Sequence, residues 1–573
     1  MKRIYLTLLS VLFLVGNLQA QEGSVKTTNV VVGEQYTDSL STGSAHIYVL
    51  EADSGRFIYG AADQLTVDVK IEVKDPSGQI IGAFDTPARG KEVFQFDTKE
   101  KGEYRITVMP FEEEEGRYTF SISLMEAVAT EPGKRVDQLM MAYSGKEVPG
   151  AAAMVMKDGE IIFEKAYGMA SLTYDIPFET DTRTNIGSTS KQFTAFAAAL
   201  LAERGRLSLD DNVRKYIPEL PEFEYPVTIR HLLTHTSGYR EYLNTLAMRG
   251  RDLSSSLDRD QIIQVVQRQP ELQNKPGTEW NYNNTGFALM VEIIERVTET
   301  PYPKWMHQNV FQPLQMNHTV VRRNQNEVVP GRSQGYAIGE GGDYMEMTDL
   351  GGAMGAGGIY TTLEDLAKWI RNFEDPKIGS EKIIQEMTTP YVLATGDTTS
   401  YGLGLFVQEY KGLKYIHHGG ADVAHRSMLM YFPEIDGAVV TQSNNANFRG
   451  NIPQQIADLF FGEYMEQRET EADEEGEPET AEAFEYDPAN FEPLTGRYEL
   501  KIQPGFILTF SRDGDRLYTQ ATGQPEIDIR ATSDSTFSLV GVNADITFHL
   551  KEDGSADSLT LHQNGHHVAT RIE

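Results

Sequence analysis

The chain has 573 residues, more than one hydrophobic core usually organises, so several domains are expected. With 40% hydrophobic and 24% charged residues it reads as a globular protein, and a formal net charge of −33 argues against nucleic acid as a partner. There is no cysteine, which excludes disulfides, thiolate nucleophiles, cysteine-based zinc sites and a lipid-modified cysteine.

In chain order, Lys2 and Arg3 precede an apolar stretch from Ile4 to about Val15, with the small residue Ala20 beyond it. This predicts a secretory signal peptide over residues 1–20 and an exported protein, periplasmic or secreted. Leu18 stands where a small residue is usual before a cleavage site, so an uncleaved anchor is the alternative. No later segment is long and apolar enough to span a bilayer, so no stable membrane span is expected once the signal is removed.

Residues 22–128 carry short alternating runs, "HIYVLEA", "LTVDVKIEV", "EYRITVM" and "RYTFSIS", separated by turn clusters such as Asp75-Pro76-Ser77-Gly78. That pattern predicts a β-sandwich, similar to the pre-peptidase C-terminal type appended to many exported hydrolases. It holds no catalytic constellation; a glycan- or protein-binding module and a passive spacer are both compatible readings.

From 130 to 465 the pattern is mixed. "KRVDQLMMAYSG" reads as a helix, and "AAAMVMKDGEIIFEKAYG" as two strands joined through Asp158-Gly159, a hairpin signal. Helical patterns follow to about residue 375, and strand patterns return in "YGLGLFVQEY", "LKYIHH", "SMLMYF" and "GAVVTQS". Strands at both ends with helices between predict an α/β domain: one antiparallel sheet with a helical insertion. Residues 466–486 form an acidic linker, and 487–573 a small β-domain punctuated by Asp513-Gly514, Asp553-Gly554 and Asn564-Gly565.

The chemistry concentrates in the middle segment. Ser188 is the only serine with a lysine three residues on, Lys191, and "QFTAFAAALLAERGRL" after it predicts a buried helix running from near Ser188 to near Gly205. On one helix face the hydroxyl and amine are neighbours, and burial lowers a lysine pKa toward that of a base. The competing reading is a serine helix cap followed by a solvated lysine. Tyr282 and Asn284 open a second apolar helix in "WNYNNTGFALM"; a phenol beside an ammonium is stabilised as phenolate, and an amide orients a substrate or a lysine. In "YIHHGGADVAHRS" a strand runs into glycines at 419 and 420, which permit close backbone approach to a ligand. His231 and His235 share helical spacing, but Leu232 stands where a zinc-protease motif requires Glu. Asp422 is the lone acidic neighbour of His417, His418 and His425, so no metal site is assigned and no cofactor is called for.

Taken in order, "STSK", "YNN" and "HHG" resemble the three motifs of the class C β-lactamase and penicillin-binding serine-hydrolase superfamily, whose relatives include DD-peptidases, D-aminopeptidases and esterases. "HLLTHTSGY", "GAGGIYTTLEDLAKW" and "YGLGLFV" agree with it. The resemblance implies a β-lactamase/transpeptidase-like fold and acyl transfer through an acyl-Ser188 intermediate. It implies Ser188 as nucleophile, Lys191 as its proton partner, Tyr282 as general base and leaving-group acid, and Asn284, His417 and Gly419 as substrate-binding residues. The amides of Ser188 and Gly420 would form the oxyanion hole. The third motif of β-lactamases usually begins with Lys; His417 there points to a peptidase of D-amino-acid type or an esterase rather than a true β-lactamase. Ala424-His425 stands where the family more often has Gly and an aromatic residue. A non-catalytic penicillin-recognising or carbohydrate-binding protein on the same fold is the reading from another class. The small β-domain at the end, with "GRYEL" and "LHQNG", is similar to one attached to exported members.

Overall fold

The structure, a computed structural model, describes residues 25–572 apart from 112–113, 254, 256, 466–485, 501–506, 515, 522–525, 540–543, 552 and 563–565. The expected signal peptide, and all of the acidic linker but its last residue, lie outside the described residues. Contacts divide the chain into two compact units, residues up to 467 and residues 468–573.

The first unit begins with two sheets. One has five strands in the order Val25–Asn29, Ala45–Ala52, Gly102–Pro110, Val69–Lys74, Ile80–Phe84. The other has four, Gln35–Leu40, Gly116–Ala127, Arg56–Gln64, Gly90–Asp97. Alternate residues of both enclose a single core in which Tyr48 and Phe120 stack at 3.9 Å and Ile58, Phe94 and Ile106 are fully buried. Side chains tie these strands to the helix-bearing remainder of the unit. Arg135 of helix α1 (Pro132–Leu139) donates to Asp97 at 2.5 Å, and Arg449 donates to the Val93 carbonyl at 2.7 Å.

The rest of the unit is built on a six-stranded antiparallel sheet. Its strands are β1 (Ala151–Lys157), β2 (Glu160–Tyr167), β3 (Phe406–Tyr410), β4 (Leu413–Ala421), β5 (Arg426–Phe432) and β6 (Gly437–Ser443), in the spatial order β2-β1-β6-β5-β4-β3. The β1–β2 hairpin turns through Asp158 and Gly159, both with left-handed φ (51° and 74°), as a two-residue primed turn requires. Along β1 the side chains alternate between two cores. Ala151, Ala153 and Val155 pack toward α1 and the late helix Ile452–Phe461, while Ala152, Met154 and Met156 join the larger helical core. That larger core is centred on helix α2 (Lys191–Glu203), buried on every side from Lys191 to Leu201 and closed by Gly205 at φ 66°. Helix α3 (Asn284–Thr298) packs beside it. The sheet therefore draws strands from both ends of the segment, with the helices inserted between them.

The second unit is a closed barrel of eight antiparallel strands, in which the first, Gly496–Leu500, pairs with the last, His566–Arg571. Phe491, Tyr498, Phe510, Phe537 and Phe548 fill its interior. No helix among the described residues is long and apolar enough to cross a membrane.

Candidate active site

The chain enters α2 through a tight turn, Gly187–Ser190, and Ser188 sits within that turn rather than capping the helix. Gly187 adopts φ 47°, and a Cβ there would lie 2.7 Å from the backbone of Ala421 on β4. The turn is thus pressed against the strand, a close approach that only glycine permits. Below it Thr189 Oγ1 lies 3.0 Å from the His418 carbonyl and 2.8 Å from the Ser427 hydroxyl, which donates to the Ile186 carbonyl at 2.8 Å. Nucleophile turn, β4 and β5 are held as one piece.

Lys191, fully buried, has its Nζ 2.9 Å from Ser188 Oγ, 2.8 Å from Asn284 Oδ1 and 3.0 Å from the Ala356 carbonyl. The rings of Tyr282 and Phe287 form its apolar wall, 4.7 and 5.5 Å from Nζ to their centroids. Burial lowers the amine pKa to about 7, against a smaller opposing pull from Glu241. That shift is worth on the order of 5 kcal/mol against the ammonium form. A neutral amine keeps two N–H groups for Asn284 and Ala356 and presents its lone pair to Ser188, so the cap-and-solvated-lysine reading does not hold.

Tyr282 stands at the mouth, 37% exposed, with its hydroxyl turned to Ser188. Burial of that hydroxyl raises its pKa, only partly offset by the bond to Ser188. The phenolate expected from the sequence is therefore not the resting form: the phenol keeps its proton, and Lys191 is the group poised near neutrality. Asn284 begins α3, and Glu241, which sequence reasoning missed, fixes its orientation. The Glu241 carboxylate accepts from the Asn284 backbone N–H and, at 3.4 Å, from its Nδ2, leaving Oδ1 to face Lys191. Glu241 also caps the helix Tyr242–Ala247, and its place just after "HTSGY" was the available signal.

The third motif needs a correction. His417 Nε2 bonds Gln408 at 2.8 Å and its ring stacks on Tyr415 at 4.1 Å and Phe406 at 5.1 Å, away from the nucleophile. His418, one residue on, takes the opposite face, with its ring 6.3 Å from that of Tyr282. Its Nδ1–H donates to the Gly419 carbonyl at 2.6 Å, and Nε2 accepts from the Tyr401 hydroxyl at 2.9 Å. Burial, reinforced by Lys191, lowers its pKa to about 3, so it is a neutral group at the site. β3 pairs with β4 only as far as His417, and Gly419 to Ala421 continue beyond it. Gly420 approaches the Ile186 carbonyl so closely that a Cβ would lie 1.9 Å from it. Gly419 and Gly420 thus carry the strand backbone past the nucleophile turn.

His231 and His235, weighed as zinc ligands, each accept a backbone N–H instead, from Thr228 and Asn283. Among the described residues no group of three or more His, Asp or Glu is placed to hold a metal ion.

Residues 135–458 match the Beta-lactamase family, and residues 480–571 match a Domain of unknown function (DUF3471). The chain is 25% identical over 449 residues to Penicillin-binding protein 4* of Bacillus subtilis, covering 75% of this chain and 97% of that protein. It is 31% identical over 297 residues to a D-aminopeptidase of Cereibacter sphaeroides, covering 50% of this chain and about half, 54%, of that protein's length. Among solved structures, the octameric penicillin-binding protein homologue from Pyrococcus abyssi aligns with a TM-score of 0.53 at 25% identity, over 77% of this chain and 99% of that one. On its sequence match and on this geometry, the chain belongs to the β-lactamase family of serine hydrolases.

Proposed function

We propose that the protein is an exported hydrolase that acylates Ser188 and releases the product by water attack, acting on short acyl esters or on amides and peptides of D-amino-acid type. The observation that carries this reading is the buried, proton-poor Lys191 amine 2.9 Å from Ser188 Oγ. Neutral Lys191 takes the hydroxyl proton as Oγ bonds to the substrate carbonyl carbon. The oxyanion that forms is met by the amide of Ser188 and by the strand amide at Gly420, whose neighbour Ala421 lies against Gly187. As the tetrahedral adduct collapses, Tyr282 gives its proton to the leaving nitrogen or oxygen and regains one from the Lys191 ammonium. Water then repeats the sequence on the acyl-enzyme, and Asn284, held by Glu241, keeps the lysine aligned throughout.

The neutral His418, held by two hydrogen bonds, supports the choice of substrate. It offers no cation to a carboxylate of the kind β-lactams carry, so esters and D-amino-acid amides fit better, in line with the D-aminopeptidase relative. Residues 22–128 are read as a sandwich of the pre-peptidase C-terminal type; the glycan- or protein-binding and spacer readings of the outer β-regions both stand. Parallel turnover of p-nitrophenyl acetate, a D-alanyl amide and nitrocefin tests the reading. Ester or D-amide turnover should exceed nitrocefin turnover, and Ser188→Ala should abolish both turnover and labelling by a fluorophosphonate. Faster nitrocefin hydrolysis would make it a β-lactamase, and no turnover of any of the three would favour a binding protein.

A further inference from the structure

His235 follows the short helix Ile229–Leu233 and is 1% exposed, yet it is not part of the proton path through Lys191 and Tyr282. Its backbone is left-handed, φ 59°, a conformation that non-glycine residues adopt sparingly and His more readily than most. From there it grips the backbone on either side of Tyr282. Its own carbonyl accepts the Asn281 N–H at 2.8 Å, and its Nδ1 accepts the Asn283 N–H at 3.0 Å. Between those two anchors its ring lies 4.3 Å from the ring of Tyr282. With Nδ1 accepting, the ring proton resides on Nε2, which is buried without a hydrogen-bond partner. Strained backbone and an unpaired buried N–H are both unfavourable, and such features persist where the surroundings over-determine them. Burial, with Lys191 nearby, also holds the imidazole pKa well below its usual value, so it adds no second charge beside the lysine.

We infer that His235 is a positioning residue of this hydrolase site: it sets the backbone of Asn281–Asn283 so that the Tyr282 hydroxyl meets Ser188 and Asn284 meets Lys191. The inference rests on the serine-hydrolase reading. It gives His235 no contact with substrate and no proton to move; its action passes through Tyr282 and Asn284.

Two substitutions separate this role from simple packing. His235→Phe keeps a ring against Tyr282 but removes the acceptor of the Asn283 N–H. His235→Asn restores an acceptor at the Nδ1 position and tolerates left-handed φ. With p-nitrophenyl acetate, and with active sites counted by fluorophosphonate, His235→Phe should lower kcat by ~10-fold or more while KM changes little, because a small misplacement of a reacting group is costly. His235→Asn should stay within ~5-fold of the parent kcat, since it keeps the hydrogen bond. Undiminished kcat per active site in His235→Phe, even with a lowered Tm, would overturn the inference, and so would an Asn variant as impaired as the Phe one. Should His235→Phe fail to fold, the Asn variant decides alone, against the inference if its loss exceeds ~5-fold. Turnover that survives Ser188→Ala overturns the hydrolase reading and this inference together. Turnover that needs Ser188 but is indifferent to His235→Phe overturns this inference alone.

Discussion

At Lys191 the three acceptors around Nζ favour the ammonium while complete burial opposes it, and burial prevails, with a pKa of about 7 against an ordinary 10.5. Below that value the amine is protonated and cannot take the Ser188 proton, so kcat/KM should fall as pH drops through about 7 and level off above it. His418, lowered to about 3, and His235, lowered well below 6.5, carry no charge change through that window, and the Tyr282 phenol titrates far above it. An acidic limb near neutrality therefore reports Lys191. A pH–rate profile with p-nitrophenyl acetate from about pH 5.5 to 8.5 checks it, and a flat profile would remove the lysine from the base role. At this scale Ser188, Lys191, Tyr282 and Asn284 were legible because each sits at a helix mouth that the hydrophobic pattern locates. The choice between His417 and His418 was not. Adjacent strand residues face opposite sides, so an error of one position in phase exchanges a ring stacked on the far face for a site residue.

Among the elements, the turn Gly187–Ser190 is tightly constrained. It combines a left-handed glycine with a strand backbone 2.7 Å from where a Cβ would stand. Gly187→Ala should push the turn off β4 and cut the rate of fluorophosphonate labelling ~100-fold, with a lowered Tm. A variant labelled at the parent rate would show that the contact is not needed. The helix after this turn, the Asp158-Gly159 hairpin and the pairing of early and late strands could all be read from apolar periodicity and turn chemistry. Glu241 and His235 could not be assigned their roles, because "HTSGY" marks their place but the backbone N–H groups they hold lie 43 and 48 residues further along the chain. The closure of the last eight strands into a barrel was likewise hidden, since closure depends on the first strand meeting the last.

On the scale of the whole molecule, the early strands and the hydrolase share a junction that contains a buried acid. Glu92 is fully buried, accepts one N–H from Thr86 at 2.7 Å, and leaves its other oxygen without a partner; burial raises its pKa to about 8, only partly offset by that bond and by Arg449. A folded value above the unfolded 4.5 means that the stability associated with the neutral acid is present below 4.5 and is lost as pH rises through about 8. Glu92→Gln removes that dependence, so its Tm relative to the parent should rise between about pH 5 and about pH 8.5. Equal Tm differences at the two pH values would place the charge penalty elsewhere.

The acceptors of Lys191 come from residues 93 and 165 positions further along the chain, and the anchor of Thr189 from 229 positions away. A fragment that ends before residues 284, 356 or 418 lacks a group that holds Lys191 or the Ser188 turn. Reactivity is in that sense a certificate of completed assembly. During refolding, fluorophosphonate labelling should trail the recovery of helical circular dichroism, because local helices form before distant segments meet. Labelling that keeps pace with the helical signal would mean that the site closes early, as part of the folding nucleus.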